Sequence, residues 1–215
     1  MGRLMNKLGR TLNWCALFLA ILAAAIFLTI LISDPLFWLN SKLQHLTVIA
    51  DLKLHVLMHN YHQLLHYLTA PWPVKFSLAN FVSSYAGMHH FADVRHLFLL
   101  TEIVLVVTGI ASFFFLRKLK RSHELWRLIR PFEWATLVPV ILAFLLAMNF
   151  DAFFVTFHEI LFRNSDWLFN PNTDPIINVL PESFFMQCFI IGFVLFEGFL
   201  VWGIVAGRKQ LKADK

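Results

Sequence analysis

Four long apolar runs dominate the chain, at residues 14–33, 97–116, 134–150 and 184–206. A helix needs about 20 apolar residues to cross a hydrocarbon core of about 30 Å, and the runs approach or exceed that length. The third is short, but Asn149, Asp151 and the FFVTF stretch after them predict a helix that continues past the membrane surface. Over residues 46–68 the pattern changes. Leu54, Leu57, Tyr61, Leu64, Leu65 and Leu68 share one helical face, with Asp51, His55, His59, His62 and His66 opposite. This spacing predicts one amphipathic helix, ended by Ala70, Pro71, Trp72 and Pro73. A further helix is expected to start at Ser83 or Ser84 and run into the second apolar run. The fold class that follows is an all-α integral membrane protein. Four transmembrane helices carry a small, mainly helical cap formed by residues 34–96 and 151–183. The whole chain, 1–215, forms one membrane domain.

Composition sharpens this picture. Of the 215 residues, 59% are hydrophobic and 14% charged, which excludes an ordinary water-soluble domain. Twenty-four Phe and 7 Trp exclude a disordered chain. The net charge of +5 does not point to nucleic acid, because the basic residues flank apolar runs. Thirteen of 18 fall in the N-terminal stretch (Arg3, Lys7, Arg10), the segment at 117–130 and the tail (Arg208, Lys209, Lys212, Lys215). Lys42, Lys53, Lys75, Arg95 and Arg163 fall elsewhere. By the positive-inside rule, both termini are expected in the cytoplasm, with the cap outside. The first run exceeds a signal-peptide core and reads as an uncleaved anchor. Cys15 and Cys188 lie in different runs at opposite depths and read as unpaired packing residues.

Nine of ten histidines belong to the outward-facing segments. The stripe His55, His59, His62, His66 contains pairs four apart that could hold a metal ion, but it is also simply the polar face of an amphipathic helix. His90 and Asp93 are three apart on a helix, so the carboxylate is placed to orient the imidazole; an interfacial polar collar explains the same residues. His158 stands in an aromatic stretch. Its HE start fails the zinc-protease pattern at Phe162, and an apolar surround should lower the pKa of a neutral imidazole base. The turn-rich segment 166–175 can fold back over it. Glu102 and Glu197 are intramembrane carboxylates and therefore functional candidates. Glu102 is shallow enough to serve an outer site, whereas Glu197 is expected to stabilise the bundle by pairing or as a protonated donor.

Several stretches together resemble the lipoprotein intramolecular transacylase family of Gram-positive bacteria. They are Asn60 and Tyr61 followed by His66, Tyr67 and Leu68; HHFADVRHLF at 89–98; FDAFFVTFHEILF at 150–162; and DWLFNPNTDPIINVLPESFF at 166–185. The resemblance implies that an acyl chain moves from the glycerol of a diacylglyceryl lipoprotein to the α-amine of its N-terminal cysteine, giving the lyso form. It implies two essential histidines, matching His90 and His158, with His89 competing for the first position. On that reading His158 is the base and His90, oriented by Asp93, the acid or oxyanion partner, though the roles can be exchanged. Tyr61, Glu102, Trp167 and Asp174 are the substrate-binding candidates. No cofactor or metal is implied. The expected partners are diacylglyceryl lipoprotein N-termini and membrane lipids, with no nucleic acid, and the protein is expected to be a monomer in the bacterial cell membrane. Two other functions stay open on the residues alone: a metal-dependent membrane enzyme, or a noncatalytic scaffold.

Overall fold

In a bilayer an apolar segment satisfies its backbone groups internally, and the four apolar runs accordingly fold as helices. The computed structural model describes residues 2–214, with side chains described from residue 9 onward. The side chains of Arg3 and Lys7, and all of Lys215, which the basic split counts, lie outside the described residues. The helices are α1 (Gly2–Leu43), α2 (Leu46–Ile49), α3 (Leu54–Thr69), α4 (Tyr85–Arg121), α5 (Ile129–Ala135), α6 (Leu137–Met148), α7 (Phe150–Leu161) and α8 (Glu182–Ala213). Short 3-10 turns occupy Leu125–Leu128 and Pro175–Val179. No strand occurs among the described residues. Four segments are long and apolar enough to cross a membrane: Gly9–Leu43, Tyr85–Arg121, Leu125–Met148 and Glu182–Ala213. The chain is an all-α, four-span membrane protein.

Two compact units divide the chain. One comprises residues 1–28, 101–144 and 190–215, and its core gathers Leu17, Leu119, Leu128, Phe132, Leu200 and Ile204. Within it, Oε2 of Glu197 is buried with no hydrogen-bond partner. The other unit comprises residues 29–100 and 145–189 and has its own aromatic-rich core. There Phe37 stacks on Tyr61 at 4.0 Å, and Phe184 meets both edge-on. Arg95 lies over the Tyr67 ring and donates to the carbonyls of Ala70, Trp72 and Val74, which pins the turn that ends α3. Cys15 and Cys188 are both free thiols.

Three boundaries differ from expectation, each for a local reason. Helix α1 continues past Ser33 to Leu43, through Pro35. Phe37, Asn40 and Ser41, at helical spacing, are buried and keep that last stretch seated on the core. The single amphipathic helix expected over 46–68 is two pieces. Asp51 adopts left-handed backbone (φ 50°), which a short polar side chain tolerates, and Lys53 is extended. In the second piece the expected faces hold: Leu57, Tyr61, Leu64 and Leu68 are buried while all four histidines of the stripe are exposed. The third span does not run on through the FFVTF stretch. Asn149 turns extended and its side chain accepts the Ala152 N–H, which ends α6 and caps a new helix, α7.

Candidate active site

The unit of residues 29–100 and 145–189 brings His90 and His158 together from α4 and α7. Ser84 opens α4 as its cap, accepting the Gly87 N–H at 3.0 Å, and this fixes the first turns that carry His89 and His90. In α7, Phe150, Phe154 and His158 recur every four residues, so one face presents two phenyl rings and an imidazole. The His90 and His158 ring centres are 5.9 Å apart. Both residues are nearly covered, at 8% and 9% exposure.

Aromatic rings form the walls. Phe162 stands edge-on to His90 at 4.9 Å, and Phe169 meets the same ring at 5.5 Å. Trp167 packs on His158 at 4.9 Å, and Phe154 contacts the same imidazole at 4.0 Å. The turn-rich segment after α7 therefore does fold back over the two imidazoles.

The two rings differ in their hydrogen bonds. Nδ1 of His158 lies 2.8 Å from the Phe154 carbonyl, which can only accept, so Nδ1 carries the proton and Nε2 keeps its lone pair. Burial holds the His158 pKa below its usual 6.5, as expected from its apolar surround, and the Phe154 hydrogen bond opposes this only in part. Neutral His158 is thus a base with one defined acceptor atom. Nδ1 of His90 is buried with no partner at all. An orphaned buried nitrogen costs roughly 1–3 kcal/mol, and such groups call for a functional explanation.

Asp93 does not hold His90. Its carboxylate accepts from Asn164 at 2.9 Å and lies 3.9 Å from Nδ1 of His89, because the segment after α7 supplies closer partners than its own helix does. Nδ1 of His89 donates to the Asp166 carboxylate at 2.7 Å, and the side chain is half-exposed.

Tyr61 lies in the core rather than on a substrate surface. It is 4% exposed, its hydroxyl donates to Ser33 at 2.8 Å, and burial pushes its pKa up. Asp174 is buried as a cap: one carboxylate oxygen accepts the Ser84 N–H at 2.8 Å and the other the Thr173 hydroxyl at 2.8 Å. An anion there also faces the positive end of α4. Glu102 belongs to the other unit. Asn164 and Phe169 are the residues that sequence reasoning passes over. Their roles arise only when a segment over 70 residues away meets α4.

The histidine stripe of α3 finds other uses: His62 pairs with Asp34 at 2.7 Å, and His66 lies against Trp72. Among the described residues, no three His, Cys, Asp or Glu side chains gather as a ligand set for a metal.

A profile of the family described as lipoprotein intramolecular transacylase Lit matches residues 11–185. The membrane-integral lipoprotein intramolecular transacylase Lit from Bacillus cereus has the same fold. Its structure superposes with a TM-score of 0.90 at 24% identity, covering 100% of this chain and 99% of that one. A variant of that protein with one histidine changed to arginine gives 0.78 at 23% identity, covering 100% and 98% of the two chains. A variant with a histidine changed to alanine gives 0.81 at 24%, covering 98% and 95%. No curated protein matches the chain in sequence. With the family profile spanning most of the sequence, four apolar helices and a shared membrane fold, the chain belongs to the lipoprotein intramolecular transacylase family and is an integral membrane acyltransferase.

Proposed function

We propose that His158 and His90 carry the transfer of an acyl chain from the glycerol of a diacylglyceryl lipoprotein to the α-amine of the same N-terminal cysteine. The amine nitrogen attacks the ester carbonyl and forms a tetrahedral intermediate. Nε2 of His158 takes the proton that the amine sheds. The intermediate collapses to an amide, the bond from carbonyl carbon to glycerol oxygen breaks, and the same proton passes to that oxygen. Protons therefore balance within one turnover. Nδ1 of His90, the buried nitrogen without a partner, donates to the developing oxyanion.

The observation that carries this reading is the asymmetry of the pair. One imidazole has its tautomer set by the Phe154 carbonyl, and the other has a buried nitrogen left without a partner, with ring centres 5.9 Å apart. Donor and acceptor belong to one substrate, so orientation alone can supply roughly 7–11 kcal/mol. Trp167 and Phe169 cover the two imidazoles and keep water from competing with the amine. Among the remaining candidates, Trp167 is the proposed substrate contact, and Asp93, Asp174 and Tyr61 act as supports.

The protein acts as one membrane domain, a monomer among lipids, with both termini cytoplasmic and the histidine pair on the outer side. The 13-to-5 basic split supports that orientation. Alanine at either His90 or His158 should abolish amine acylation of a synthetic diacylglyceryl lipopeptide. Alanine at His55, His59, His62 or His66 singly should not. Near-normal turnover by either the His90 or the His158 variant would end the proposal.

A further inference from the structure

The segment 162–174 that walls the site is tied to the first turns of α4 at two points. Asp174 fastens its far end to the Ser84 N–H. Near its start a second set of contacts forms, and it includes none of the atoms assigned to proton transfer. His89 pairs with Asp166 at 2.7 Å and lies 3.9 Å from Asp93. Asp93 accepts from the Asn164 amide at 2.9 Å. Asn164 in turn accepts the Asp166 N–H at 3.1 Å through its side chain and the Trp167 indole N–H at 3.1 Å through its carbonyl. On the far side the His89 ring lies parallel to Tyr85 at 6.3 Å.

We infer that His89, Asp93, Asn164 and Asp166 form a strap that seats Trp167 over His158 and Phe169 over His90, with His89 a positioning residue for the transfer. The inference rests on the imidazole-pair reading above. His89 is half-exposed and its bonded nitrogen is committed to Asp166, so it is badly placed to touch a reacting atom. Its neighbour His90 is the reverse, covered and unpaired. Adjacent residues on a helix point about 100° apart, so the same turn can give one histidine to the site and one to the strap. Asn164 is the joint. Its side chain engages α4 and its carbonyl holds the indole that packs on His158, so slack at Asp93 or His89 is passed directly to Trp167.

The test compares kcat and KM on a synthetic diacylglyceryl lipopeptide for the purified full chain and its His89→Ala, Asp166→Ala, doubly substituted, His89→Gln, His90→Ala and His158→Ala forms. A displacement of about 1 Å can cost about a hundredfold in rate. Each strap alanine should therefore lower kcat by about tenfold to a hundredfold with little change in KM. The double variant should be no worse than the poorer single one, because both remove the same contact. His89→Gln should recover most of kcat, since its amide can still donate to Asp166 but cannot shuttle a proton. Should the alanine variants fail to fold, the Gln form alone decides. Wild-type kcat in His89→Ala, additive losses in the double variant, or a His89→Gln form as inactive as His90→Ala would each overturn the strap. Wild-type turnover by His158→Ala would instead defeat the imidazole-pair reading, independently of the coupling between His89 and Asp166.

Discussion

Replacing Gly87 by alanine should destabilise the protein, although glycine to alanine inside a helix normally does the opposite. The normal gain is about 0.8–1.0 kcal/mol. At this position, however, an added Cβ would stand 2.1 Å from Oδ1 and 3.0 Å from Cγ of Asp174. No side chain tolerates the first of these distances, so Asp174 has to move off the Ser84 N–H that it accepts at 2.8 Å. A hydrogen bond to a charged group is worth about 1.5–3 kcal/mol, and Asp174 is buried with nothing else to replace that donor. The difference is a net loss of about 0.5–2 kcal/mol, or a few degrees in melting temperature for a chain of this size. Thermal unfolding in detergent of the wild type, Gly87→Ala, Asp174→Ala and the double variant closes the cycle. In the Asp174→Ala background the obstruction is gone, so the same Gly87 change should stabilise. A Gly87→Ala protein that melts higher than wild type, or a double variant showing no coupling between the sites, would refute this account of how the wall segment is anchored.

The pH profile follows from the His158 environment. Burial holds its pKa below 6.5, so the ring is neutral and able to accept a proton at neutral pH. The substrate α-amine, with a pKa of about 7.7–8.0, loses its lone pair first as pH falls and sets the acidic limb. Activity should therefore be low near about pH 5 and climb through neutrality to about pH 8, and a flat profile measured where chemistry limits the rate would contradict attack by the uncharged amine. The proposed orientation is tested at position 42 with a Lys42→Cys form. A membrane-impermeant thiol reagent should label it from outside the cell, and labelling from the cytoplasm alone would reverse the topology.

How much of this was legible in the sequence varies with the range of the interaction responsible. The opening of α4 at Ser84 is visible because a hydroxyl three residues before Gly87 serves as a cap within one turn. The buried face of α3 follows from spacing in the same way. The break at Asn149 is also local, but an apolar stretch on both sides hides it, and only the captured Ala152 N–H separates two helices from one. Asp93 marks the boundary of such reasoning. Its spacing from His90 is right for contact, yet Asn164 and His89 occupy it, and Asn164 arrives from 71 residues away. Asp174 likewise reads as a substrate-binding candidate in a turn-rich segment and turns out to cap a helix 90 residues earlier. The imidazole pair itself could be named because each histidine stands in a distinctive stretch, but its asymmetry could not. The Phe154 carbonyl and the unpartnered Nδ1 appear only when the chain is folded.

The most direct test of the central claim is tandem mass spectrometry of a synthetic diacylglyceryl lipopeptide after incubation with the purified protein. The account predicts a product of unchanged mass with one acyl chain now on the cysteine amine and one left on glycerol, formed by the wild type and absent with His158→Ala. Both acyl chains remaining on glycerol with the wild-type protein, or the same amide forming at a similar rate with His158→Ala, would contradict it.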